Sequence, residues 1–140
     1  MRRLFIGILA VCAAFSYLSC TGEASGEPDF WLGADISWAT EYESRGYKFY
    51  NADGEERECT ELMKELGLNA VRLRVWVDPS AHGGWCSKED LLVKCQRAEK
   101  LGMAILVDFH YSDWWADPAK QNIPASWSGH SYEQMKKDLA

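Results

Sequence analysis

A chain of 140 residues, 47% of them hydrophobic and 13% aromatic, is long enough for one compact core and short for two. Its 26% charged residues beside that apolar share argue against a disordered chain, and 15 basic against 21 acidic residues, with no run of either sign, leave no electrostatic footprint for nucleic acid. Seven tryptophans exceed what a core of this size needs, so part of the aromatic surplus is expected to face a ligand.

Met1-Arg2-Arg3 followed by the apolar run from Leu4 to Phe15 has the form of a secretory signal. Polar Ser16, Ser19 and Thr21 come too early for a membrane-spanning helix, which needs roughly 20 apolar residues. Tyr17-Leu18-Ser19-Cys20 resembles a bacterial lipobox, with Tyr17 where that pattern usually has Leu. Residues 1–19 are therefore expected to be a lipoprotein-type signal peptide and Cys20 the lipid-bearing first residue of the mature chain; ordinary signal cleavage nearby is the alternative. Residues 20–29 read as a flexible, mildly acidic tether. The chain is thus expected to be exported and held to the cell envelope, touching membrane only through Cys20. Export permits a disulfide among Cys59, Cys86 and Cys95, but nothing specifies the pair.

From Phe30 the chain alternates between strand and helix patterns. Phe30–Trp38 predicts a short first strand, Tyr42–Asn51 is looser, and Asn51-Ala52-Asp53-Gly54 is a turn. Cys59, Leu62, Met63 and Leu66 fall on one helical stripe within 55–66, and Gly67 stands where a left-handed cap would. Residues 69–77 alternate strictly and predict the second strand. A helix over 87–101 opens on Ser87 with Asp90 at its third position, ending before Gly102. The apolar run 103–109 predicts a third strand covered on both faces, and Ser131 with Gln134 opens a further helix. Strand to strand, Asn69 to Met103 is 34 residues, one β/α unit. The first strand lacks a glycine-rich phosphate loop, so a (β/α)8 barrel is favoured over a doubly wound sheet. Since a barrel needs about 250 residues, residues 30–140 are expected to be its first three β/α units, truncated before strand four.

In such a barrel, chemistry sits at the C-terminal ends of the strands. If Val71, Leu73 and Val75 pack on helices, Arg72 and Arg74 point inward, where they need carboxylate partners. A salt-bridge pair holding the barrel together is the structural alternative. Asp108 and His110 share one face of the third strand, and Asp35 near the end of the first faces the same interior. His110 is a candidate for orienting a carboxylate or a substrate hydroxyl. Tyr111 to Pro118 (YSDWWADP) alternates aromatics with carboxylates, which suits a sugar: rings stack on its C–H face and carboxylates take its hydroxyls. The competing explanation is a loop folded over its own Trp114 and Trp115. No cofactor motif is present. No Cys/His spacing suggests zinc, and a metal held by Asp108, His110 and Asp113 is disfavoured because three ligands within six residues of a strand end cannot all converge.

Gly33-Ala34-Asp35-Ile36-Ser37, Lys48-Phe49-Tyr50, the run from Asn69 to Pro79, and above all the run from Asp108 to Gln121 together resemble glycoside hydrolase family 53, the endo-β-1,4-galactanases that cut galactan side chains of pectin. The similarity extends over residues 32–127. It implies a retaining glycosidase on a (β/α)8 barrel, with an acid/base Glu in an Asn-Glu pair ending strand four and a nucleophile Glu ending strand seven. No Asn-Glu dipeptide occurs in the chain, so neither catalytic role falls on a residue of this sequence, and these 140 residues alone are expected to be inactive. The resemblance makes Arg72 and Arg74 the strand-two arginines near the nucleophile and His110 the strand-three histidine. It puts Asp35, Asp113, Trp114, Trp115 and Asp117 at the cleft floor and wall. The expected partner is a galactan chain. A surface lipoprotein that binds glycans without cutting them is the other reading. Trp38, the cysteines and Gly83-Gly84-Trp85 depart from the family pattern and are expected in loops near the subsites.

Overall fold

A computed structural model describes residues 30–139. Cys20, the signal segment and the tether lie outside the described residues. Three parallel strands, β1 (Gly33–Asp35), β4 (Ala70–Val75) and β5 (Ala104–Phe109), form one sheet in the spatial order β1–β4–β5. The β1-to-β4 connection carries α1 (Ala39–Ser44), the antiparallel pair β2 (Phe49–Tyr50) and β3 (Glu56–Arg57), and α2 (Cys59–Glu65). The β4-to-β5 connection carries α3 (Lys88–Lys100), and α4 (Tyr132–Asp138) follows β5.

The core lies between the sheet and its helices. Val71 and Leu73 of β4 meet Ile36, Ala39, Cys59, Leu91, Ala98 and Met103 there, all buried. The expected face assignment of β4 holds, because only the face carrying Val71 and Leu73 has apolar helix stripes to cover it.

The ends of the elements depart from the sequence reading. β1 is confined to three residues: Phe30, Trp31 and Leu32 are exposed, and beyond Asp35 the chain turns into a helix that the sequence pattern did not announce. Gly33 is required in β1, since a Cβ there would lie 3.0 Å from the Ala70 carbonyl oxygen. Helix α2 begins at Cys59 instead of Glu55. Glu56 and Arg57 pair with Tyr50 and Phe49 across the Asn51–Gly54 turn, and the Glu58 carboxylate caps the helix by accepting from the N–H groups of Thr60 and Glu61. Trp38, expected in a subsite loop, packs beside Tyr42 and Phe49 against the core. The caps read from sequence stand: Ser87 Oγ accepts from Asp90 N, Ser131 Oγ from Gln134 N, and Gly67 and Gly102 adopt positive φ.

β5 is not covered on both faces as its apolar run suggested. It stands at the edge of the sheet, and Leu106 and Phe109 are 62% and 59% exposed. Cys59, Cys86 and Cys95 are all free thiols. Burial, with Glu58 and Glu43 nearby, pushes the Cys59 thiol up to about 11.

Candidate functional site

The C-terminal ends of the three strands carry a line of charge. In the sheet register Asp35 stands opposite Arg72, and Arg74 opposite Asp108. The Arg72 guanidinium bridges the carboxylates of Asp35 and Asp108. Asp108 also accepts from His110, whose Nε2 lies 2.8 Å away. Trp76 Nε1 donates to His110 Nδ1 at 3.3 Å. Nδ1 therefore acts as an acceptor, and the proton of the neutral ring sits on Nε2, aimed at Asp108. The ladder Asp35–Arg72–Asp108–His110–Trp76 thus crosses all three strands. It unites Asp35, Arg72, Asp108 and His110, four residues that the strand alternation placed on one interior face.

Ser37 anchors the first rung. Its hydroxyl donates to Asp35 at 2.5 Å and accepts from the Arg74 N–H at 2.7 Å. Burial pushes the Asp35 carboxyl up, but the Ser37 hydroxyl and N–H and the Arg72 guanidinium outweigh it and hold the group below the ordinary carboxylate range. Stability from a depressed carboxylate is present above its unfolded pKa and lost as pH falls through its folded one. The melting temperature of the full-length protein is therefore expected to drop as pH falls from about 5 to 3, near the unfolded Asp value of about 3.9. Asp35→Asn should flatten part of that slope; an unchanged slope in the variant would remove Asp35 from the account. Glu58 is also held low, against its burial, by the Thr60 and Glu61 N–H groups, the Thr60 hydroxyl and Arg97, and contributes in the same direction.

Arg74 behaves differently from Arg72. It is 6% exposed, and among the described residues it has no carboxylate partner. Its guanidinium carbon lies 4.5 Å from the Trp76 ring centre and 4.0 Å from that of Trp115, with one nitrogen 3.6 Å from the Cys86 sulfur. The two arginines share a strand face and not a role.

The aromatic loop divides in the same way. Trp115 is 52% exposed, covered by Arg74 from one side. Trp114 lies between His82, stacked at 3.8 Å, and Trp76 at 4.6 Å, and keeps 36% of its surface exposed. Asp113 is occupied: its two oxygens accept from the N–H groups of Asp78 and Ala125, tying together the loops after β4 and β5. Asp117 accepts from Ala119 N within its own turn.

Sequence reasoning missed the floor beneath these residues. Lys94 of α3 is fully buried, its Nζ 2.7 Å from both the Ser37 carbonyl and the Asp90 carboxylate. Asp90 also accepts from Cys86 N, and the Cys86 carbonyl accepts from Trp76 N. Cys86 adopts φ +60, a left-handed conformation that costs a side-chain-bearing residue about 1–3 kcal/mol. The available signal was a lysine between Leu91 and Ala98 on the apolar stripe of α3, four residues after Asp90.

The charge ladder and the exposed tryptophan beside it stand at the strand ends, and comparison with known proteins gives the family. The sequence profile of glycosyl hydrolase family 53 matches residues 31–140. The chain is 39% identical over 117 residues to the endo-beta-1,4-galactanase of Bacillus subtilis (strain 168), covering 79% of this chain and 27% of that protein. It is 35% identical over 128 residues to the arabinogalactan endo-beta-1,4-galactanase of Cellvibrio japonicus (strain Ueda107), covering 91% and 33%. A solved family 53 catalytic domain from Ignisphaera aggregans superposes with a TM-score of 0.73 at 39% identity, over 82% of this chain and 34% of that one. The chain thus spans about a third or less of the relatives it matches. With the profile extending through every described strand and every rung of the ladder, the chain belongs to glycosyl hydrolase family 53.

Proposed function

We propose that this chain is the N-terminal part of an exported endo-hydrolase of β-1,4-galactan, and that β1, β4 and β5 are the first three strands of a (β/α)8 barrel. The observation that carries the reading is the ladder from Asp35 to His110 with the half-exposed Trp115 beside it. A retaining glycosidase needs two carboxyl groups about 5 Å apart, one raised in pKa to act as acid and one ionised to attack. Asp35 and Asp108 are taken by Arg72, and Asp113 by backbone N–H groups. The acid and the nucleophile are accordingly assigned to later strands. The described residues prepare their surroundings: Arg72 supplies positive charge that favours an ionised carboxylate, His110 presents a fixed tautomer, and Trp115 stacks on a galactose ring.

The test is to give full-length protein β-1,4-galactan and follow reducing ends and the anomeric configuration of the products. Oligosaccharides released with retained configuration are expected. Tight binding without new reducing ends would favour the glycan-binding lipoprotein, and neither binding nor cleavage would overturn both readings.

Export and anchoring are part of the proposal. Cys20 is expected to take up a fatty-acid analogue in metabolic labelling of the wild type and not in Cys20→Ala. Equal labelling of the two, or none in either, would exclude the anchor.

A further inference from the structure

Trp115 is the outer member of a continuous pile. His82 stacks on Trp114 at 3.8 Å, Trp114 meets Trp76 at 4.6 Å, the Arg74 guanidinium lies 4.5 Å from Trp76, and Trp115 lies 4.0 Å from that guanidinium. These five side chains come from strand β4, the loop after it, and the loop after β5. Arg74 is the member with the least freedom. Its N–H donates to Ser37 Oγ, its guanidinium touches the Cys86 sulfur, and its buried Nε has no partner. A buried charge with no carboxylate is costly unless something else receives it. Here two indole rings do, by cation–π attraction that strengthens as water is excluded. Trp76 and Trp115 themselves meet edge-to-face at 5.5 Å, and the guanidinium sits in the corner between them, in contact with both.

We infer that Arg74 is a positioning residue for Trp115: through the pile it sets the height and tilt of the ring on which a galactose unit stacks. The inference rests on Trp115 being a sugar-facing ring, as proposed above. Its action is on substrate binding, whereas Arg72 acts at the charge ladder.

The test uses full-length protein with β-1,4-galactotetraose and galactan. Arg74→Met is expected to raise KM about tenfold and leave kcat within about twofold, the signature of lost binding common to ground and transition states. Its near-ultraviolet circular dichroism should change in the tryptophan bands while the far-ultraviolet spectrum stays the same. In a Trp115→Ala background the Arg74→Met change should add nothing further to KM, because both act through one ring. A fall in kcat at constant KM would instead assign Arg74 to a reacting carboxylate, and KM effects that multiply in the double variant would separate Arg74 from Trp115; either overturns the inference. If Arg74→Met does not fold, His82→Ala at the exposed end of the pile carries the same test. About threefold in KM is expected, vanishing in the Trp115→Ala background, and no KM change overturns the inference. A wild type that neither binds nor cuts galactan refutes the substrate reading alone. The dichroism of wild type and Arg74→Met, recorded without sugar, then decides the pile separately, and identical spectra overturn it.

Discussion

If the full-length protein cuts galactan as proposed, Arg72→Met is expected to lower kcat/KM at least about tenfold, which corresponds to roughly 1.4 kcal/mol of transition-state stabilisation. Methionine keeps the stem volume and removes the one group that both Asp35 and Asp108 share. Asp108 then repels Asp35 and keeps only His110, so the imidazole loses the fixed partner that holds its Nε2–H in place. The variant should also melt lower, with a larger deficit above pH 4 than below it, because the stranded carboxylates are charged only there. Wild-type kinetics with a lowered melting temperature would make Arg72 purely structural. Equal kcat/KM losses in Arg72→Met and Arg74→Met, both in kcat, would erase the division of labour between the two arginines.

Expressed alone, residues 30–140 are expected to show no galactan turnover and no sharp cooperative melt. The chemical reason is that every carboxylate of the described ladder is committed, Asp35 and Asp108 to Arg72, which leaves no pair able to serve as acid and nucleophile. The structural reason is the outer edge of β5. Among the described residues no strand pairs with its N–H and C=O groups on that side, and Leu106 and Phe109 are mostly exposed. Trp31, Asp35, Arg72 and Leu106 line a hollow of about 560 Å³ that runs across all three strands. Measurable hydrolysis would refute the chemical half. A soluble monomer with a steep thermal transition would refute the structural half.

Strict alternation in β4 was enough to send Arg72 and Arg74 inward, because period-2 geometry leaves no other choice once Val71 and Leu73 are buried. Helix caps at Ser87 and Ser131 were legible for the same reason: they are local, and one side chain decides them. What separates Arg72 from Arg74 is not local. It depends on Cys86 holding Trp76 from a loop ten residues downstream and on Trp115 arriving from beyond β5. Helix α1 escaped because six residues carry too little periodicity, and β3 because two paired residues look like the first turn of the helix that follows. The stacking of Trp114 on His82 was not legible either, because His82 is held in a short 3-10 turn that ends at Gly83.

Three of the ladder's four ties span nearly one β/α period, 37 residues from Asp35 to Arg72, 36 from Arg72 to Asp108 and 34 from Trp76 to His110, while the fourth, Asp108 to His110, is local. At a synthesis rate of about 5–20 residues per second, Arg72 follows Asp35 by about 2–7 s, and Asp108 follows Arg72 by a similar interval. Through each wait the earlier charge can stay only where water reaches it. Each long tie therefore closes only after its second strand has been made, β1 to β4 first and β4 to β5 after it.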